Sequence, residues 1–169
     1  PDHSAEQTLD MANATLPLDY VRFRHRRLAK NSHYADNSGN HELCIVILSG
    51  KANITAAGER FAAVGERMSV FEQVPPHAVY LPNGSDFSVE ALTDLEIGIC
   101  GAPGSNGHGP RWIAPSDIKR STRGEGANVR HVHDILPETE AADSLLVVEA
   151  YTPAGNWSSY PPHKHDEDN

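Results

Sequence analysis

The chain has few of the features that would place a protein in a specialised class at once. Its 169 residues include only two cysteines, and aromatic residues make up 7% of the sequence. So few cysteines exclude a disulfide-rich scaffold. No apolar run approaches the ~20 residues of a membrane-spanning helix, so we expect no membrane partner. The start of the chain shows no basic, apolar and small-residue signal pattern, and we therefore expect a cytoplasmic protein.

The chain is also poor in positive charge. It has 14 basic and 23 acidic residues, a formal net charge of -9. This balance argues against nucleic acid as a main partner. One basic cluster stands apart, and it is either a solvated strand and turn or a patch that binds carboxylates, which suit the planar fork of arginine. Its members are Arg22, Arg24, Arg26, Arg27 and Lys30.

Short apolar or alternating segments recur through the first hundred residues, and no long stretch has the 3.6-residue period of an amphipathic helix. Turn-forming residues such as Ser49-Gly50 and Asn83-Gly84 separate the segments. Many short strands with regular turns predict an all-β sandwich or small barrel. The segments expected to form strands are 43–48, 51–56, 68–72, 78–81, 87–92 and 95–100.

The remainder of the chain divides by composition. Residues 101–127 are rich in glycine and proline and are expected to form an exposed linker or loop. Beyond them, 128–133 alternates like a strand, 137–143 is expected to form one or two helical turns, and 144–152 is expected to be a buried strand. The stretch 128–169 is too short for an independent barrel, so we expect it to begin a second barrel that this chain leaves incomplete. We expect the chain to be a piece, or the ordered part, of a longer polypeptide.

The segment His163-Lys164-His165 is the sharpest chemical signal. Residues i and i+2 of a strand face the same way, so both imidazoles can bind one metal ion while Lys164 points away. Two imidazoles suit a divalent metal such as zinc, iron or manganese. An exposed polar tail with two chance histidines is the alternative, and spacing alone does not decide. Glu167 would share that face if the strand continued and is a weaker candidate ligand, since a solvated acidic end is the favoured alternative.

The other histidines and the cysteines favour structural roles. His131 and His133 repeat the spacing but fit a half-exposed strand, while His41 and His77 are isolated. We therefore expect the first half of the chain to hold no metal. The two cysteines lie in apolar runs and are expected to be buried free thiols, with a disulfide left open. Phosphate-loop, dinucleotide-binding and serine-hydrolase motifs are absent from the sequence.

Longer segments resemble one known family. Residues 144–149 and 152–167, with the unusual run 156–165, closely resemble the 5-deoxy-glucuronate isomerase family of myo-inositol catabolism. In the first half, 42–50, 65–72 and 75–82 look like the same family. The resemblance covers about Tyr20 to Asn169. The related ketol-isomerase of pectin breakdown shares the architecture and is the nearest alternative.

The resemblance implies a cupin-type double-stranded β-helix with two barrels. It divides the chain into an N-terminal arm (1–19), a metal-free first barrel (20–100), the linker or loop (101–127) and the start of a metal-binding second barrel (128–169). His163 and His165 would be metal ligands, with further ligands beyond Asn169. Seven residues separate Gly155 from His163 where the general cupin pattern has five, so that pattern fits loosely and the family match is the main support for this assignment.

The same resemblance implies the reaction and the partners. The activity would be a metal-dependent aldose–ketose isomerisation, from 5-deoxy-D-glucuronate to 5-dehydro-2-deoxy-D-gluconate. Its requirements are a divalent ion (zinc, manganese or iron), a small sugar acid as substrate and a general base. The sequence does not indicate which residue is that base. Self-association into a homo-oligomer is left open. Another cupin enzyme such as an oxygenase, or a sugar-acid-binding cupin without catalysis, remains an alternative.

Overall fold

The computed structural model describes residues 9–10, 20–105 and 107–158, and these form antiparallel β-strands with little helix. The all-β expectation is confirmed. The strands are β1 (Leu9–Asp10), β2 (Arg22–Leu28), β3 (His33–Asn37), β4 (His41–Ser49), β5 (Ala52–Ala56), β6 (Glu59–Val64), β7 (Ala78–Leu81), β8 (Asp86–Ala91), β9 (Leu95–Pro103), β10 (Arg111–Ile113), β11 (Lys119–Arg123), β12 (Arg130–Leu136) and β13 (Val147–Tyr151).

The strands form three sheets. A six-stranded sheet has the order β1-β2-β9-β4-β7-β10, and a four-stranded sheet has the order β3-β8-β5-β6. These two sheets share one hydrophobic core, to which β4, β7 and β9 contribute from one side and β5 and β8 from the other. A third sheet, β11-β12-β13, follows in the second part of the chain. The core therefore lies between two facing sheets, as in a sandwich or barrel.

Strand β4 is buried on both faces. Its residues Leu43, Ile45 and Ile47 belong to the core between the first two sheets. Cys44 and Val46 point the other way, into a second core that includes Ile135 and Val147. Alternate residues of a strand point to opposite faces, so burial on both faces explains why 43–48 is continuously apolar instead of alternating. The third sheet therefore packs against the outer face of the six-stranded sheet.

The segment 68–72, expected to be a strand, is a 3-10 turn over Val70–Glu72. The Ser69 side chain accepts a hydrogen bond from the turn, and the Glu72 carboxylate accepts from the backbone N–H groups of Met68 and Ser69. This reciprocal capping box stabilises the helical start against the extended alternative. The expectation was wrong because short apolar spacing does not distinguish a strand from one capped turn.

The segment 101–127 contains regular structure and is not a continuous linker or loop. Strand β9 continues to Pro103, β10 pairs with β7, and β11 pairs with β12. Gly101 and Pro103 belong to β9 itself, and the other glycines and prolines lie in the connections between strands. The number of these residues therefore overstated the irregular length. The division of the chain into two barrels stays a prediction.

The C-terminal strand is shorter and less buried than 144–152 predicted. Leu145 and Val147 are buried, whereas Leu146 and Val148 are 63% and 53% exposed. The segment 137–143, expected to be helical, forms turns and bends. Strand β12, by contrast, confirms a strand at 130–133, but Asn128 belongs to a 3-10 turn and burial does not alternate, because the neighbours Val132 and His133 are both buried. An apolar run that is covered on one side only is indistinguishable in sequence from one covered on both.

Glu42 is a buried carboxylate that connects β4 to β7 and to the segment before β13. It is 1% exposed and accepts the Tyr80 hydroxyl at 2.7 Å. It also accepts the backbone N–H groups of three consecutive residues, Asp143, Ser144 and Leu145, at 2.5 to 2.9 Å. Burial alone would raise the pKa of Glu42, but these hydrogen bonds outweigh it and lower the pKa. The charged carboxylate thus holds the segment that leads into β13.

We expect Glu42→Gln to lower the free energy of unfolding by about 3 kcal/mol, because an amide nitrogen would face backbone N–H donors. Urea denaturation at pH 7 measures the loss. The stabilisation by the charged group exists above its unfolded pKa and disappears as pH falls through its lower folded pKa. The difference from the wild type should therefore shrink in acid. The exposed control Glu59→Gln should change stability by no more than about 0.5 kcal/mol, and an equal effect of both would contradict the role of Glu42.

The two cysteines lie directly opposite each other on β4 and β9 as free thiols. Cys44 is buried and Cys100 is partly buried. Burial raises the pKa of both thiols, that of Cys100 to about 11. Since the thiolate is the reactive form, both side chains should be inert in the folded chain.

We expect iodoacetamide at pH 8 to leave Cys44 and Cys100 unmodified in the native chain and to alkylate both in urea. Intact-mass spectrometry measures the modification. An exposed thiol introduced by Thr139→Cys serves as the control and should react within minutes. Labelling of Cys44 at the rate of that control would show that the strand pair is not closed as described.

Candidate functional site

The predicted metal ligands His163 and His165, and the weaker candidate Glu167, lie outside the described residues. The structure instead describes the strand that precedes them in the chain, β13, and its attachments. Within the described ranges, no three His, Cys, Asp or Glu side chains converge in a way that could hold a metal ion. The candidate site is therefore built from the support of β13 and from the groove beside it.

Arg67 anchors β13 to the first part of the chain. Its side chain is 2% exposed, and its Nε donates to the backbone carbonyl of Leu48 at 3.0 Å. One terminal nitrogen donates to the carbonyl of Val74 at 2.8 Å and to Glu149 Oε2 at 2.9 Å. The other donates to Glu149 Oε1 at 2.6 Å. This bidentate, charge-assisted pair is the strong form of an arginine–carboxylate contact.

A close backbone approach positions Arg67. Gly65 has a φ of +116°, and a Cβ at this position would lie 2.2 Å from the Gly50 carbonyl oxygen. Gly50 has a φ of +93°, and its N–H donates to the Arg67 carbonyl at 2.9 Å. Only glycine fits where two backbone turns approach this closely with positive φ. The glycines therefore bring the arginine up against the third sheet.

Glu149 collects further donors from its own sheet. The Tyr151 hydroxyl donates to Oε2 at 2.9 Å, and Nδ1 of His133 lies 3.0 Å from the same oxygen. Burial alone would raise the pKa of Glu149, but Arg67 and the other hydrogen bonds lower it overall. An ionised carboxylate only accepts, so Nδ1 of His133 carries the shared proton. Burial and the adjacent carboxylate raise the pKa of Tyr151 to about 12, so its hydroxyl stays protonated.

The pair His131 and His133 therefore has a structural role on β12. His133 is buried and bonded to Glu149, whereas His131 is exposed, with Nδ1 3.2 Å from the Thr122 hydroxyl. His77 also has partners: Nδ1 accepts the indole N–H of Trp112 at 3.0 Å, and the two rings stack. Burial lowers the pKa of His77, so the neutral ring that accepts this bond is favoured. The metal-free first barrel stays a prediction.

A groove of about 740 Å³ is lined by residues of β10 and of the third sheet. The exposed side chains of Leu146 and Val148 line it, next to Asp134, which forms an ion pair with Arg123. Such mixed charge suits a ligand that carries both hydroxyl groups and a charge. Its basic residues are Arg111, Lys119 and Arg123, and its acidic residues are Asp117, Asp134, Glu138 and Glu140.

Comparison with known proteins identifies the family. Residues 1–169 match the KduI/IolB family. The chain belongs to this family. It is 47% identical over 172 residues to 5-deoxy-glucuronate isomerase of Geobacillus kaustophilus, an alignment that covers 100% of this chain and 62% of that relative. It is 40% identical over 161 residues to the Bacillus subtilis protein of the same name, covering 95% of this chain and 59% of that relative.

Solved structures agree with this KduI/IolB membership. An IolB-like protein from Salmonella typhimurium superimposes with a TM-score of 0.87 at 42% identity, over 96% of this chain and 61% of that protein. A putative glyoxylate-induced protein from Pseudomonas aeruginosa shares the fold alone, with a TM-score of 0.55 at 13% identity over 78% of this chain and 49% of that one. The expected cupin-type, all-β fold class is confirmed. Within the described ranges there is no apolar helix long enough to cross a membrane.

Neither Arg67 nor Glu42 was a candidate in the sequence. Nothing local distinguishes Arg67, because its partner Glu149 is 82 residues away in the chain. A weak signal existed at the carboxylates: Glu42 and Glu149 each adjoin or interrupt an apolar strand. A charged residue there requires a buried partner, but sequence does not name that partner.

We expect Arg67→Met to lower the free energy of unfolding by about 3 to 5 kcal/mol, since it leaves Glu149 buried without its cation. Urea denaturation measures the loss, and amide hydrogen exchange should accelerate along β13. The double variant Arg67→Met/Glu149→Met should recover part of the stability. Arg60→Met is the matched control, because Arg60 is an exposed arginine whose ion pair spans 4.0 Å, and it should cost less than about 1 kcal/mol. If the stability losses of the two single variants simply add up in the double variant, the ion pair would be contradicted.

Proposed function

We propose that this chain is part of a metal-dependent aldose–ketose isomerase that converts 5-deoxy-D-glucuronate to 5-dehydro-2-deoxy-D-gluconate. The observation that carries the proposal is its similarity to the relatives named 5-deoxy-glucuronate isomerase. Three of them are 47%, 49% and 42% identical over 100%, 89% and 94% of this chain. The chain spans 55% to 62% of those relatives. The activity is therefore proposed for the whole protein of which this sequence forms part.

The proposed metal ligands within this chain are His163 and His165. Two imidazoles at this spacing suit zinc, manganese or iron, and further ligands must complete the shell. When bound, such an ion supplies Lewis-acid stabilisation of the enediolate that forms when a proton leaves the carbon beside a carbonyl. The general base is not assigned to any residue of this chain.

The described residues contribute support and substrate binding to this proposal. The pair Arg67–Glu149 holds β13, the strand that precedes the two histidines in the chain. Glu42 holds the backbone just before that strand. The groove beside β13 offers acidic side chains for sugar hydroxyl groups and basic ones for a carboxylate. The proposed partner is accordingly a small sugar acid; a cytoplasmic location and a homo-oligomer belong to the same proposal.

The related uronate ketol-isomerase of pectin breakdown is the second candidate. It shares the reaction class and is the nearest alternative that the resemblance of the sequence leaves open. The printed names of the similar curated relatives favour the first candidate. Comparing turnover of 5-deoxy-D-glucuronate with that of the pectin-derived keto-uronate in the whole protein decides between them. Binding of either acid without turnover by the metal-loaded protein would instead support the non-catalytic alternative.

We expect His163→Ala and His165→Ala in the whole protein each to remove most bound metal and to lower activity by more than about 100-fold, since loss of one ligand opens the shell. Metal content by mass spectrometry and conversion of 5-deoxy-D-glucuronate are the two measurements. Lys164→Ala is the matched control and should keep both within about twofold. Unchanged metal content in both histidine variants would overturn the assignment of these histidines as ligands. It would not contradict the proposed isomerase activity.

A further inference from the structure

Trp112 on the edge strand β10 is held by His77, which lies just before β7. The Trp112 indole N–H donates to His77 Nδ1 at 3.0 Å, with the ring centres 5.5 Å apart and the ring planes at 21° to each other. The His77 side chain is only 12% exposed, whereas Trp112 is 44% exposed. The bond to His77 therefore fixes the position of a large aromatic ring that is partly in solvent.

The neighbours of Trp112 on β10 are held by contacts of another kind. Ile113 is buried in the second core, and the Arg111 guanidinium lies 4.5 Å from the centre of the Tyr80 ring. The backbone of all three residues of β10 pairs with β7. None of these contacts depends on a group that titrates near neutral pH, whereas the bond to His77 does. Strand β10 also lines the groove beside the third sheet.

The bond between the two rings requires neutral His77. An indole N–H can only donate, so Nδ1 must present its lone pair and the ring proton must reside on Nε2. A protonated imidazole carries an N–H group on both nitrogens. Two N–H groups would then face each other across the 3.0 Å that separates Nδ1 from the indole nitrogen. Protonation of His77 therefore replaces a hydrogen bond with a contact between two donors.

Two charged groups face His77 from neighbouring segments. Glu66, between β6 and the 3-10 turn, places Oε2 3.8 Å from Nε2 and favours the protonated ring, while Lys51, between β4 and β5, disfavours it. Burial has the largest effect and, together with Lys51, holds the pKa of His77 below its ordinary value of 6.5. The stabilisation by the bond is therefore complete at pH 7 and is lost as pH falls below 6.5 and through the lowered folded pKa.

We propose that His77 is a pH-sensitive latch, whose neutral ring holds Trp112 at the edge of the six-stranded sheet and whose protonated ring releases it. The release is local, because the burial of Ile113 and the backbone pairs with β7 remain. It frees one side of β10 and so loosens a wall of the groove in acid. The latch requires neither a metal ion nor the proposed isomerase activity.

The test is fluorine NMR of the whole protein labelled with fluorotryptophan, in which Trp112→Phe assigns the Trp112 signal. As pH falls from about 7.5 to about 5, we expect this signal to move with a midpoint below 6.5. His77→Asn is the decisive variant, because its amide oxygen accepts the indole N–H at every pH in this range. Its Trp112 signal should stay where the neutral histidine places it. A titration in His77→Asn identical to that of the wild type would overturn the proposal.

Variants of the two facing charges separate a local latch from acid unfolding. Glu66→Gln should lower the midpoint by about 0.3 to 1 pH unit, and Lys51→Met should raise it. A midpoint that neither variant moves would overturn the proposal. Far-UV circular dichroism should stay constant over the same range, and a loss of strand signal at the same midpoint would show unfolding of the sheet instead. A Trp112 signal that does not move in the wild type would show that the protonated ring keeps the indole through cation–π attraction, and would also overturn the proposal.

Discussion

The bidentate ion pair between Arg67 and Glu149 connects the two parts of the chain, and the candidate site depends on it. The arginine is held by backbone carbonyls of the first part, and the carboxylate belongs to β13 of the third sheet. Because both groups are removed from water, each requires the other to avoid an uncompensated charge. The strand that precedes the two histidines is therefore attached to the first sandwich at one defined position.

The apolar contacts of the same interface specify the alignment of the sheets less strictly. Side chains of β4, β12 and β13 form the second core, but hydrophobic packing tolerates small shifts in register. Glu42 removes that freedom, because three consecutive backbone N–H groups must meet its two oxygens. Buried polar groups thus specify how the sheets align, while the apolar side chains supply most of the driving force.

The basic residues at the start of the first sandwich point to opposite faces of one strand, β2. Alternation on β2 sends Arg27 outward to Glu96 and Arg26 inward over Tyr34. Of the two descriptions open at the sequence level, the solvated strand fits Arg27, and the carboxylate-binding patch stays a hypothesis. Sequence spacing predicts this alternation once the strand is known, but not which face is the interior.

The sequence by itself determined the all-β class, most strands of the first half and the His163–His165 candidate, because these depend on local alternation, turn residues and a short motif. It misassigned 68–72, where a capping box favours a helical turn, and it overstated the irregular length of 101–127. Only the tertiary structure decided the partners of Arg67, Glu42 and His133. Their contacts at the two buried carboxylates join residues 16 to 103 positions apart, and no local pattern encodes which distant donor will meet a buried carboxylate.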